Sequence, residues 1–242
     1  VTSLAIGRFL AVVFCSILPL ALQAQERTIQ GRTGLVTVRD GKQKVWITRA
    51  WVRLDVQGSD LIVTQEYRLM YPAPPLEKEP VRITVALRED YYRSRAGGGS
   101  EVRAAEAKGF RSFAVKVDGR PVIANIDPWR INEKHDTATQ WRVWDIPFQP
   151  GQQRRMRIAT RAPLGIQGGR RYLQFVSKDI GGWRQAPAFL EIRFTAPGNI
   201  ETRVAGVEPD ATDINTRAIR WIYRKASPNR DVYILLPSNY RP

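Results

Sequence analysis

Apolar and polar residues alternate with a period of two along most of this chain, the pattern of strands half buried in a sheet. In the run Val45–Val56 the second half alternates cleanly. Ala50, Val52, Leu54 and Val56 fall on one face; Trp51, Arg53 and Asp55 fall on the other. After the turn residues Gly58-Ser59-Asp60, the run Leu61–Tyr71 places Leu61, Val63, Tyr67, Leu69 and Tyr71 on one face. Two such runs joined by a short turn predict a hairpin. Pro72, Pro74 and Pro75 end it, because proline lacks the donor that a ladder requires. Val81, Ile83, Val85 and Leu87 then form the inward set of a third strand, opposite Arg82, Thr84 and Arg88.

The same reading continues to the end. Phe113, Val115 and Val117 lead to the turn Asp118-Gly119, and Pro121–Ile126 is expected to return from it. Trp141–Phe148 precedes Pro150-Gly151 and the strand Arg154–Arg161, in which Met156 and Ile158 point inward and Arg155, Arg157 and Arg161 point out. Arg170–Val176, Phe189–Thr195, Ile200–Val204, Arg217–Arg224 and Val232–Leu236 complete the set. About ten to twelve short strands at this spacing predict an all-β fold, an antiparallel β-sandwich. No segment after the first two dozen residues carries a helical period of useful length.

One domain is expected over residues 25–242, with two smaller β subdomains left open as an alternative. Residues 93–109 contain Gly97-Gly98-Gly99-Ser100 and a charged, alanine-rich stretch, and are expected to form a mobile loop. The triple glycine lacks the Lys-Ser/Thr pair and the strand-to-helix setting of a phosphate-binding loop.

The segment 1–24 reads differently. Arg8 precedes an apolar run, Phe9–Leu22, broken only by Cys15, Ser16 and Pro19. The run is shorter than the ~20 apolar residues a membrane-spanning helix needs. The layout is that of a secretory signal peptide, with cleavage after Ala21 or after Ala24 both open. Cys15 follows Phe14 and is continued by apolar residues, so it reads as part of the signal rather than as a lipidation site. The mature chain would then have no cysteine and no transmembrane segment, and its expected location is periplasmic or extracellular.

Charge narrows the partners. The chain has 38 Lys+Arg against 23 Asp+Glu, a net charge of +15. A basic exported protein meets acidic glycans, envelope surfaces and other exported proteins; nucleic acid is not the expected physiological partner.

Several turn motifs carry a resemblance. They are Tyr71-Pro72-Ala73-Pro74-Pro75, Val117-Asp118-Gly119-Arg120-Pro121-Val122, Trp144-Asp145-Ile146-Pro147-Phe148-Gln149-Pro150-Gly151, and the Tyr172 strand followed by Gly181-Gly182-Trp183. Over Val45–Leu236 the chain resembles uncharacterised secreted β-sandwich proteins of bacteria, of the domain-of-unknown-function kind. The resemblance implies a fold and an exported location, and transfers no catalytic residues.

The residues themselves offer little catalytic chemistry. His135 is the one histidine, and no Gly-x-Ser-x-Gly elbow is present. One histidine without a mature cysteine cannot supply the usual zinc ligands. Asp210, Asp213 and Asn215 lie close together but lack the spacing of a calcium loop. No catalytic, metal or cofactor residue is assigned. Glu66, Asp118, Asp127, Glu133, Asp136, Asp145 and Asp179 keep one alternative open, a carboxylate-dependent hydrolase acting on envelope glycans. The leading reading is a non-catalytic binding or structural module. Its candidate ligand surface is Trp51, Arg53, Arg155, Arg157, Arg161, Trp183, Arg220 and Arg224, because tryptophan beside arginine can stack on sugars, bases or side chains.

Overall fold

Each alternating run has one apolar face to hide, and in the computed structural model two sheets hide these faces against each other. The structure describes residues 30–40, 44–92, 110–132, 137–167, 170–178, 183–196 and 204–240. Among them are eighteen strands and no helix. In chain order these are β1 (Gln30–Gly34), β2 (Thr37–Asp40), β3 (Trp46–Gln57), β4 (Asp60–Met70), β5 (Val81–Tyr92), β6 (Ser112–Val117), β7 (Arg120–Pro121), β8 (Asn125–Ile126) and β9 (Arg130–Asn132). They continue with β10 (Thr137–Phe148), β11 (Gln153–Pro163), β12 (Gly165–Gln167), β13 (Arg170–Val176), β14 (Phe189–Thr195), β15 (Gly206–Glu208), β16 (Asp213–Asn215), β17 (Ala218–Arg224) and β18 (Val232–Leu235).

The larger sheet has ten strands in the order β15-β18-β13-β1-β5-β10-β8, with β12, β2 and β9 paired at its sides. The smaller has eight, β16-β17-β14-β3-β4-β11-β6-β7. The all-β sandwich expected from the alternation is therefore present, with two differences. The strands are more numerous, because β7, β8, β9, β12, β15 and β16 span only two or three residues and leave no alternation to read. The sheets are mixed rather than purely antiparallel: β1 runs parallel to β13, and β14 runs parallel to β3. Parallel neighbours need long crossovers, and a period of two says nothing about direction. The segment Pro121–Ile126 also does more than return, since β7 ends the eight-stranded sheet and β8 joins the ten-stranded one. The signal segment 1–24, the 93–109 loop, the Ile200–Val204 strand in all but its last residue, and His135 lie outside the described residues.

The β3–β4 hairpin turns at Gly58, and the β6–β7 hairpin at Asp118-Gly119, where both residues have positive φ (50° and 80°). That is the pairing a two-residue hairpin loop requires. Between the sheets lies one cluster of buried side chains that includes Leu54, Val63, Ile83, Ile146, Ile158 and Phe194. Phe113 of β6 meets Trp144 of β10 at 6.0 Å between ring centroids, a contact from sheet to sheet.

Two buried tryptophans allow a direct comparison. Trp221 donates from Nε1 to Pro209 O at 2.9 Å, whereas Trp144 Nε1 has no acceptor among the described residues. Both rings are almost fully buried. Trp221→Phe is expected to cost about 1–2 kcal/mol more than Trp144→Phe, because only the first strands a carbonyl. Urea unfolding of the two variants checks this; equal losses would contradict it.

Candidate functional site

The outer face of the eight-stranded sheet gathers what the inner face excludes. Its side chains come from alternate positions of β11, β4, β3, β14 and β17, and the strand register lines up their arginines. Arg155 of β11 stands directly opposite Arg68 of β4, and Arg68 directly opposite Arg49 of β3. One strand pair further on, Arg53 of β3 stands opposite Arg193 of β14, and Arg193 opposite Arg220 of β17. These are two like-charge ladders, each three strands wide. Like charges placed directly opposite destabilise a sheet, so neither ladder is explained by the fold.

Between the ladders runs a third row, Arg157–Glu66–Trp51–Glu191–Ile222. Partial neutralisation is visible. Arg155 Nη2 donates to Glu66 at 2.7 Å, which raises the guanidinium pKa above its ordinary value. Arg53 Nε donates to Asp55 at 3.0 Å. Arg220 Nε donates to Asp213 at 2.9 Å, again raising the guanidinium pKa. Arg161 Nε donates at 2.6 Å to Asp60, a buried carboxylate that also receives Arg111. Arg49, Arg68, Arg157, Arg193 and Arg224 have no carboxylate partner among the described residues.

Aromatic rings sit among these cations. The Arg68 guanidinium lies 5.4 Å from the Trp51 centroid, and that of Arg224 lies 5.4 Å from the Phe189 centroid. Trp51 and Phe189 are 6.3 Å apart and inclined at 55°. They floor a concavity of about 430 Å³, whose other walls are Thr48, Arg49, Ala188 and Arg224. A β-bulge between Ile47 and Arg49 shapes this corner. The extra residue, Thr48, donates from Oγ1 to Arg68 O at 3.0 Å, and such bulges re-aim side chains. A second concavity of about 240 Å³ lies on β6 and β11, lined by Lys116, Gly119, Arg155 and Arg157.

Seven of the eight candidate surface residues thus lie on one sheet: Trp51, Arg53, Arg155, Arg157, Arg161, Arg220 and Arg224. Trp183 is corrected. It is only 7% exposed, and its Nε1 donates to Val36 O at 3.1 Å. The indole closes the space beside residues 35 and 36, where its ring is dry and its one donor is satisfied, so it offers no stacking surface. Arg49, Arg68, Phe189 and Arg193 were missed by the sequence reading. Arg49 falls in the irregular first half of its strand, and the others gain meaning only from register.

Among the candidate carboxylates, Glu133, Asp136 and Asp179 lie outside the described residues, and the other four are dispersed. Glu66 lies on β4 and Asp118 in the turn between β6 and β7 of the eight-stranded sheet, and they bind Arg155 and Arg154. Asp127 and Asp145 flank or belong to strands of the other sheet and bind Arg39 and Arg82. Asp213 holds Arg220, and Asn215 accepts the backbone N–H of Arg217 and Ala218, which makes that acidic segment a capped turn. No group of three or more His, Cys, Asp or Glu residues able to hold a metal occurs among the described residues. No described helix is long and apolar enough to cross a membrane.

No protein-family model and no characterised protein sequence matches the chain. Among solved structures, the fold is similar to that of a candidate nutrient binding protein from Legionella pneumophila. The TM-score is 0.64 at 13% identity, covering 87% of this chain and 72% of that one. A zinc metallopeptidase from Deinococcus radiodurans aligns with a TM-score of 0.39 at 14% identity, covering 81% of this chain and 43% of the enzyme. What is shared with the Legionella protein is the β-sandwich fold.

Proposed function

We propose that this protein is an exported, non-catalytic recognition module, and that its ligand is an acidic glycan laid across the outer face of the eight-stranded sheet. The observation that carries the reading is the pair of arginine ladders, Arg155–Arg68–Arg49 and Arg53–Arg193–Arg220. A sheet gains nothing from stacking like charges across its strands, whereas a polyanion crossing those strands meets a cation at each step of about 4.8 Å. Arg157, Arg161, Arg224 and Trp51 extend the same face. The apolar run Phe9–Leu22 supports export, and the single cluster of buried residues supports one domain. The fold shared with a candidate nutrient binding protein agrees with binding as the class of activity.

One feature gives the hydrolase reading its place. Glu66 and Glu191 stand on either side of Trp51, two strand spacings or roughly 10 Å apart, at the upper end of the separation used by inverting glycosidases. Against it, Glu66 is tied to Arg155 and the two carboxylates stand on an open sheet face.

The test is binding of the purified protein to polygalacturonate from about 50 to about 300 mM salt, where the screening length shortens from about 14 to about 6 Å. Binding is expected to weaken steeply across that range. Salt-independent binding, or no binding to acidic polymers, overturns the reading. Release of reducing ends that stops in Glu66→Gln or Glu191→Gln overturns its non-catalytic part.

A further inference from the structure

Resting on the glycan reading above, we propose that the concavity between Trp51 and Phe189 is a subsite for one hexuronate residue, with its carboxylate taken by Arg49 and Arg224. At about 430 Å³ the concavity falls within the size range of small-molecule sites. Both arginines line it, and neither has a carboxylate partner among the described residues. A guanidinium presents a planar fork that matches a carboxylate with two hydrogen bonds.

The rings distinguish a sugar from a base. A nucleobase is held best between parallel faces, but Trp51 and Phe189 are inclined at 55° and form an open wedge. One face of Trp51 is also covered by the Arg68 guanidinium. A pyranose chair is not flat. It can rest its axial C–H groups on one ring and turn its polar edge to the rim. Glu191, in register with Trp51, adds an acceptor beside the wedge. Sugar hydroxyls can donate to that carboxylate, while an interior DNA nucleotide has no free hydroxyl to offer it. Thr48 supplies a further hydroxyl at the bulge. The surroundings therefore favour a hydroxyl-rich ligand with one charge per ring.

The experiment uses calorimetry on the full mature chain with trigalacturonate, with its fully methyl-esterified form, and with an oligothymidylate of equal charge. Trigalacturonate is expected to bind and its ester to bind at least about tenfold more weakly. Arg49→Gln combined with Arg224→Gln should weaken trigalacturonate at least about tenfold, and Phe189→Ala should weaken it independently. Arg82→Gln removes one positive charge from the ten-stranded sheet, where the Arg82 side chain is 71% exposed, and should change affinity by less than about twofold. If polygalacturonate binds but the trimer is indifferent to Arg49, Arg224 and Phe189, the subsite is wrong and the broader reading stands. If the oligothymidylate binds as tightly and needs the same residues, the ligand class is wrong. If no acidic polymer binds, the broader reading fails first.

Discussion

Replacing Arg49, Arg68 and Arg193 together by glutamine is expected to lower affinity for an acidic polymer by a factor on the order of one hundred to one thousand, while the protein unfolds at the same temperature or higher. The opposite signs follow from where these residues stand. Arg68 is the middle rung of one ladder and Arg193 of the other, and Arg49 ends the first. None of the three has a carboxylate partner among the described residues. Their removal breaks no ion pair among the described residues; it gives up the Arg68–Trp51 contact, worth about 0.5–1 kcal/mol, and relieves four cross-strand repulsions of about a few tenths of a kcal/mol each, which offset it. Removing three charges that a polymer contacts costs about one charge-assisted interaction apiece, and the salt dependence of binding should flatten by about one unit of slope per arginine. Calorimetry against polygalacturonate at several salt concentrations, with a thermal melt of the same sample, separates the cases. A lower melting temperature with binding intact would make the arginines structural.

This contrast also shows what could be read from the sequence and what could not. Facing was legible wherever alternation was clean. Ala50, Val52, Leu54 and Val56 are buried, as are Met156 and Ile158, and Arg155, Arg157 and Arg161 of the same strand point out. The turns at Gly58 and Asp118-Gly119 were legible from turn chemistry. Register was not. That Arg155, Arg68 and Arg49 share a row depends on the turn between β3 and β4, on the pairing of β4 with β11, which lies far from it in the chain, and on the bulge at Thr48, which appears in the sequence only as failed alternation in Trp46–Arg49. The row Arg53–Arg193–Arg220 depends further on β14 lying parallel to β3 across a long crossover, and no local pattern encodes such a neighbour. Trp183 failed for a related reason. Its glycine-rich flanks look like an exposed loop, yet the carbonyl that receives its indole belongs to Val36, 147 residues earlier. Asp60 looked like an ordinary turn residue, but it is buried and held by Arg111 and Arg161.

The second large effect belongs to the interior. Gln65 and Tyr67 lie on the inward face of β4, both fully buried. Gln65 Nε2 donates to Gly34 O at 2.9 Å, the Tyr67 hydroxyl donates to Gln65 Oε1, and Val36 N–H donates to the same hydroxyl at 3.4 Å. The chain of bonds ties one sheet to the segment that leaves β1 of the other, inside an otherwise apolar layer. Gln65→Leu keeps the volume but strands the Gly34 carbonyl and the Tyr67 hydroxyl, and is expected to cost about 3 kcal/mol. For a chain of this size that lowers the melting temperature by roughly 6–12 °C. Tyr67→Phe should cost about 2 kcal/mol, and the double variant less than the sum, since each single change orphans the other's partner. Burial raises the Tyr67 pKa, with the Val36 hydrogen bond opposing the shift. The folded phenol therefore keeps its proton where an unfolded tyrosine, near pH 10, gives it up. Above that pH the unfolded state binds fewer protons than the folded state, so stability falls by about 1.4 kcal/mol per pH unit from this group. Urea unfolding between pH 8 and pH 11 should show that decline in the wild type and a shallower one in Tyr67→Phe. Equal slopes would remove Tyr67 from the alkaline transition, and a Gln65→Leu variant as stable as the wild type would show that the bridge between the sheets contributes nothing.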